Sequence, residues 1–204
     1  MGVIAVISPW NYPLQLALIP TITALIAGNT VILKPSELTP LVSQIIKQIL
    51  EKANLPENIV QIVEGEKDQV QKIIELKPAK IFFTGSTATG KKIMQNAAER
   101  MIPLQLELGG KDPMIVLEDA NFERAVNAAV YGAFSNSGQL CVATERLYIH
   151  QSIYDKFTAA VQKKTKKLRK NGEYDAELGP LIHPDIRKRL KMQMEDAEDK
   201  GGKI

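Results

Sequence analysis

The sequence predicts an α/β fold: a Rossmann-like parallel sheet with flanking helices, followed by an incomplete second α/β domain. Three observations carry the prediction. Apolar runs of strand length alternate with helix-length segments through the first half of the chain. The strand candidates, such as Val3-Ile4-Ala5-Val6-Ile7, are continuously apolar, as in sheets covered on both faces. The composition is that of a globular chain, 45% hydrophobic and 24% charged over 204 residues, enough for one sizeable core or two small ones.

The first strand, at residues 3–7, is ended by Pro9 and Trp10. Residues 14–27 read as a buried helix closed by Gly28. Val31-Ile32-Leu33 is the next strand. Thr39-Pro40 supplies an N-cap followed by proline at the first helical position. Leu41, Ile45, Ile46, Ile49 and Leu50 then line one helix face. Residues 59–63 form a strand, 67–76 a helix, 81–83 a strand and 87–100 a helix.

The rhythm changes near Ile102. Residues 104–108 alternate, and Gly109-Gly110 breaks the pattern, so a soft domain boundary falls at 102–108, with division into 1–106 and 107–204. Residues 114–117 form a strand, and Asn121 caps a helix that runs to about Phe134. The polar stretch 135–139 leads to Cys141. Residues 147–149 form a strand, and Ser152 with Asp155 opens a long basic helix. Residues 184–200 form a charged helix capped by Gly201-Gly202, and Lys203-Ile204 reads as the first step of a new strand. A start inside one strand and a stop at another lead us to expect an internal piece of a longer chain.

Composition removes several classes. Lys plus Arg number 26 and Asp plus Glu 23, a net charge of +3, which argues against a large field for nucleic acid. The densest basic run, residues 163–170, holds six cations in eight positions. It lacks interleaved aromatics and ends a helix, where cations are favoured, so it reads as a solvated face. The sole cysteine, Cys141, allows no intrachain disulfide and fits a reducing, cytoplasmic setting. With only His150 and His183 besides, a metal site is not expected. Residues 3–7 lack the basic flank of a signal peptide. The longest apolar window, 16–27, carries Pro20 and is too short to span a bilayer.

Several constellations can carry chemistry. Cys141, in Asn136-Ser137-Gly138-Gln139-Leu140-Cys141, is either a buried small hydrophobe or, given its polar, glycine-containing approach, an accessible nucleophile. Glu107 is either an edge-strand glutamate facing water or, between Leu106 and Leu108, a partly buried general base. Asn11 lies in Ser8-Pro9-Trp10-Asn11-Tyr12-Pro13, a loop stiffened by two prolines and two aromatics. Its amide either closes an Asx-turn or donates to a developing oxyanion. Lys34 and Glu37, after a strand, either form a surface ion pair or meet ribose hydroxyls. Residues 85–91 fit most of the P-loop pattern, but Lys92 stands where a magnesium-holding hydroxyl belongs. A helix N-terminus accepting a pyrophosphate uses the same amides without the metal.

Taken together, Ser8-Pro-Trp-Asn-Tyr-Pro-Leu-Gln15, Leu33-Lys-Pro-Ser-Glu37, Phe83-Thr-Gly-Ser-Thr87, Leu106-Glu-Leu-Gly-Gly-Lys111 and Asn136-Ser-Gly-Gln-Leu-Cys-Val-Ala143 resemble the aldehyde dehydrogenase superfamily in kind and order. The first and last are most similar to its class-three, fatty and aromatic aldehyde branch. The resemblance runs the length of the chain and covers roughly half of a full member, the segment with the glutamate that holds the nicotinamide ribose lying outside it.

It implies a partial NAD(P)-binding domain at 1–106 and a partial catalytic domain at 107–204. Cys141 would attack the aldehyde carbon. The Asn11 amide and the Cys141 backbone N–H would hold the oxyanion, and Glu107 would activate the water that hydrolyses the thioester. Lys34 and Glu37 would bind the adenosine ribose, Gly85 and Ser86 the pyrophosphate, with Trp10 beside the cofactor. Glu37 suits a free 2′-hydroxyl, favouring NAD, with NADP also accepted. Expected partners are a small aldehyde and a second copy of the chain, or complementary chains for the fragment, with no nucleic acid and no membrane span. Against the enzyme stand a non-catalytic remnant and a nucleotide-binding module. Weak or absent turnover by the chain alone is expected, with association through open sheet edges.

Overall fold

The structure, a computed structural model, describes residues 2–170 and 174–203. The chain divides into two compact units, Met1–Gly109 and Gly110–Ile204. The first contains β1 (Val3–Ile7), α1 (Gln15–Ile26), β2 (Thr30–Lys34), α2 (Pro40–Lys52), β3 (Val60–Ile62), α3 (Asp68–Glu75), β4 (Lys80–Thr84), α4 (Thr87–Ala98) and β5 (Leu104–Glu107). Its strands run in the order β3-β2-β1-β4-β5, and every pairing is parallel.

Period-two alternation explains why these strands are apolar throughout. In β1, Ala5 and Ile7 join Ile81 and Phe83 of β4 in a core closed by Ile73 and Ile74 of α3 and Ile93 and Ala97 of α4. Val6, between them, faces the other way, with Val31 and Leu33 of β2, against Ala17 and Ala24 of α1 and Ile46 of α2. Both faces are therefore covered by helices, the expected Rossmann-like arrangement. Gly28 ends α1 as expected: at φ +77° its N–H donates to Leu25 O (2.9 Å) and the next N–H, of Asn29, to Ala24 O (3.0 Å). Thr39 occupies the N-cap position ahead of Pro40, but its hydroxyl makes no capping bond and is buried without a partner among the described residues.

The second unit contains β6 (Asp112–Val116), α5 (Phe122–Phe134), a 3₁₀ turn (Ser135–Gly138), β7 (Thr144–Ile149), a second 3₁₀ turn (Gln151–Ile153), α6 (Tyr154–Thr165) and α7 (Pro184–Asp199). β6 and β7 pair in parallel. Val116, Val126, Ala129 and Phe157 form its core, where the Phe122 and Phe157 rings meet edge to face at 5.7 Å. Asn121 caps α5 as expected, its Oδ1 accepting from Arg124 N–H at 3.0 Å. Gly201 and Gly202 close α7 through N–H donations to Glu198 O (2.9 Å) and Ala197 O (2.8 Å).

Besides the Thr39 cap, three readings need correction. Glu107 ends β5, whose backbone bonds to β4, so the division falls at the Gly109–Gly110 step rather than after Leu106. Ser152 does not open α6: its N–H donates to His150 Nδ1 at 3.3 Å, and a 3₁₀ turn intervenes before Tyr154. Lys203 lies in no strand, and Ile204 is outside the described residues. The packing around Phe157, fully buried, gives a direct test. Phe157→Ala is expected to destabilise the second unit by about 3–5 kcal/mol, measured as the shift of its urea unfolding midpoint.

Candidate active site

A parallel sheet places the carboxyl ends of all its strands along one edge, and the residues singled out in the first unit stand there. Trp10 and Asn11 follow β1, Lys34 ends β2 and Glu37 follows it, Gly85 and Ser86 follow β4, and Glu107 ends β5. Backbone bonds tie these ends together: Ser8 N–H donates to Lys34 O at 3.0 Å, and Gly85 N–H donates to Glu107 O at 3.0 Å. The strand order reverses between β1 and β4, the position at which such sheets open a ligand crevice.

Lys34 is buried, at 3% exposure. A buried ammonium requires partners. Its Nζ donates to Glu37 Oε2 at 2.9 Å and to Pro35 O at 3.1 Å. Burial by itself would raise the Glu37 carboxyl; its own backbone N–H, the hydrogen bond from Lys34 and the charges of Lys34 and Lys67 outweigh that and hold it below its ordinary value. The ion pair is formed, and it fixes a carboxylate that stays about one-third exposed. Ser86 is the N-cap of α4, its Oγ accepting from Thr89 N–H at 3.2 Å.

Asn11 is half-buried, and its Oδ1 accepts from Tyr12 N–H at 3.0 Å. In this contact Oδ1 is the acceptor, so Nδ2 is the amide's donor end. Of the two readings of Glu107, the structure shows the edge-strand glutamate facing water: its side chain is exposed. β5 is the last strand in the order, so nothing in this sheet covers its outer side. Gln105, two residues earlier, instead holds the carboxylate, Nε2 donating to Oε1 at 2.8 Å.

Cys141 stands on the second unit and is half-buried. Ahead of it, α5 breaks into three successive left-handed residues, Asn136 (φ 49°), Ser137 (φ 57°) and Gly138 (φ 71°). For the two that carry a Cβ this costs roughly 1–2 kcal/mol each. Leu140 O accepts from Ala143 N–H at 3.4 Å across the cysteine.

Two hydroxyls at this edge escaped the sequence reading. The hydroxyls of Ser8 and Thr84 are buried with no hydrogen-bond partner among the described residues. They follow Ile7 and Phe83, which are register partners, so the two hydroxyls belong to adjoining strand ends at the switch point. A polar ligand seated there would satisfy them. Knowing which strands pair was needed to see this. Among the described residues no group of three His, Cys, Asp or Glu side chains could hold a metal ion.

A model of the aldehyde dehydrogenase family matches residues 1–204. The 4,4'-diapolycopene aldehyde oxidase of Methylomonas sp is 46% identical over 202 residues, 99% of this chain and 38% of that protein. A putative succinate-semialdehyde dehydrogenase [NADP(+)] of Mycolicibacterium smegmatis is 39% identical, over 100% of this chain and 40% of that protein. The crystal structure of Staphylococcus aureus betaine aldehyde dehydrogenase in complex with NAD+ superposes with a TM-score of 0.92 at 36% identity, covering 98% of this chain and 40% of that one. The chain thus spans about two fifths of the length of the curated relatives it matches.

The Lys34–Glu37 pair yields a pH prediction. A carboxyl held below its ordinary value adds stability that is fully present above the unfolded-state pKa and lost as pH falls through the folded one. Near pH 7, Glu37→Gln is expected to cost about 1 kcal/mol, because a partly exposed pair is screened. Below about pH 4 the parent and variant urea curves should converge.

Proposed function

The chain belongs to the aldehyde dehydrogenase family, and from that membership we propose that it carries the nucleophile, base and cofactor edge of an NAD(P)-dependent oxidation of an aldehyde to a carboxylic acid. One observation carries the cofactor half of the reading. Lys34, Glu37 and Ser86 share the carboxyl edge of a β3-β2-β1-β4-β5 sheet, whose switch point is the site at which this architecture takes dinucleotides.

The residues present fit such a group. The buried, unpartnered hydroxyls of Ser8 and Thr84 offer donors and acceptors at the crevice. The N-terminus of α4, capped by Ser86, suits a pyrophosphate. Gly85 lets backbone approach there, and Trp10 flanks the same edge. Glu37, fixed by Lys34, accepts from ribose hydroxyls; its charge repels a 2′-phosphate, so NAD is preferred and NADP tolerated. Bound at this edge, NAD(P) supplies the acceptor for the hydride that leaves the aldehyde carbon.

The chain's own residues perform the rest. The Cys141 thiolate adds to the carbonyl carbon, forming the C–S bond of a thiohemiacetal and moving the π-electron pair onto oxygen. Asn11 Nδ2 and the Cys141 backbone N–H donate to that oxyanion. Loss of hydride leaves a thioester on Sγ. Glu107 takes a proton from water, the hydroxide adds to the acyl carbon, and the C–S bond breaks to release acid and thiolate. A free thiol of this kind suits a reducing compartment, in keeping with a cytoplasmic setting. Among the described residues no helix is long and apolar enough to cross a membrane. The substrate class is a fatty or aromatic aldehyde, and the complete protein is a homo-oligomer.

The exposure of Glu107 favours a second reading, a nucleotide-binding module with little or no turnover by this chain alone. Rapid mixing of the chain with NAD, then NADP, and an aromatic aldehyde separates the two. The first reading expects a burst of reduced cofactor of about one equivalent per chain, the mark of covalent catalysis. It should vanish in Cys141→Ala while cofactor titration is unchanged. Binding without a burst in the parent chain would decide for the second reading.

A further inference from the structure

We propose that Gln139 is a positioning residue that holds the Cys141 turn against the segment 179–182 and thereby sets the reactivity of the thiol. The proposal rests on reading Cys141 as the nucleophile. Three successive left-handed residues, Asn136, Ser137 and Gly138, do not persist unless their surroundings hold them. The holders here are polar. Ser137 Oγ donates to Gly179 O at 2.7 Å. Gln139 Nε2 donates to Asn136 O at 3.0 Å and to Pro180 O at 3.3 Å. Gln139 Oε1 accepts from Ile182 N–H at 3.0 Å.

One primary amide therefore closes the turn on itself and fastens it to a segment about forty residues further along the chain. Only an amide both donates to carbonyls and accepts from an N–H at this length. Neither glutamate, acceptor only when ionised, nor methionine does both. Between this anchor and Sγ lie only Leu140 and the cysteine's own backbone, so a displacement of residue 139 is passed to the thiol. Gly138 cannot absorb it by taking a side chain, since a Cβ there would meet Ala133 O at 3.2 Å on a left-handed backbone.

The chain has one cysteine, so alkylation by iodoacetamide reads this turn alone. The test uses the full chain and needs neither aldehyde nor cofactor. In Gln139→Met, of similar volume, amide exchange at Ile182 should rise about five- to tenfold, the loss of one hydrogen bond. The plateau rate of Cys141 alkylation in its pH profile should rise at least about threefold as the half-buried thiol becomes accessible. A merely structural residue would lower the melting temperature and leave that plateau alone. Gln139→Glu, which keeps the acceptor, should retain most of the Ile182 protection. Ser137→Ala should move alkylation in the same direction, and the double variant should fall short of the sum, because both side chains fasten one segment.

Ile182 exchange and Cys141 alkylation both within about twofold of the parent in folded Gln139→Met would overturn the proposal. If that variant does not fold, the same null result in Ser137→Ala overturns it. A parent chain that gives no burst, with variants that still shift alkylation, would sink the dehydrogenase reading and leave the positioning of the thiol standing.

Discussion

Parallel pairing is the constraint on which the first unit depends. It forces every strand to end at one edge, so residues scattered from Ser8 to Glu107 meet there without any local motif bringing them together. Parallel strands also need long crossovers, and the crossovers here are helices that bury both faces. The apolar content of the strands and the polar character of the loops after them follow from one cause. Chemistry can sit only where the ladder stops, because only there are backbone and side-chain groups released from pairing.

Electrostatics at that edge obeys the same logic. Lys34 is the last residue of β2, and the strand's burial takes its ammonium with it. Leaving such a charge unpaired would be costly, and the two-residue reach to Glu37 through Pro35 and Ser36 meets the need locally. The price of burying a lysine is thus converted into a carboxylate of fixed position.

Much of this was legible in the sequence, because the signals were physical ones. Strand runs, the Gly28 and Gly201-Gly202 closures and the Asn121 cap each follow from periodicity or from a backbone requirement. What escaped depended on pairing. Ser8 and Thr84 carry no local signal, and only the Ile7 to Phe83 register puts them on adjoining ends. Thr39 has the residue type of a cap, yet its hydroxyl makes no capping bond. The anchoring of Gln139 to 179–182 spans too many residues for any local pattern to announce it. Ser152 failed for the opposite reason, a competing local partner, His150, taking its N–H.

Glu107 shows how burial and exposure part along a single strand. The flanking leucines suggest burial, which acts by making the charged form less favourable. They lie on the sheet face opposite to Glu107, because side chains alternate along a strand, and so they shield their own face and not its carboxylate. The same alternation places Gln105 on the Glu107 side, where its amide holds Oε1 at 2.8 Å. A donor to one oxygen leaves the other to accept a proton and fixes its direction. For proton transfer, geometry comes before basicity. The edge strand therefore holds this carboxylate through a neighbour two residues away while leaving it exposed.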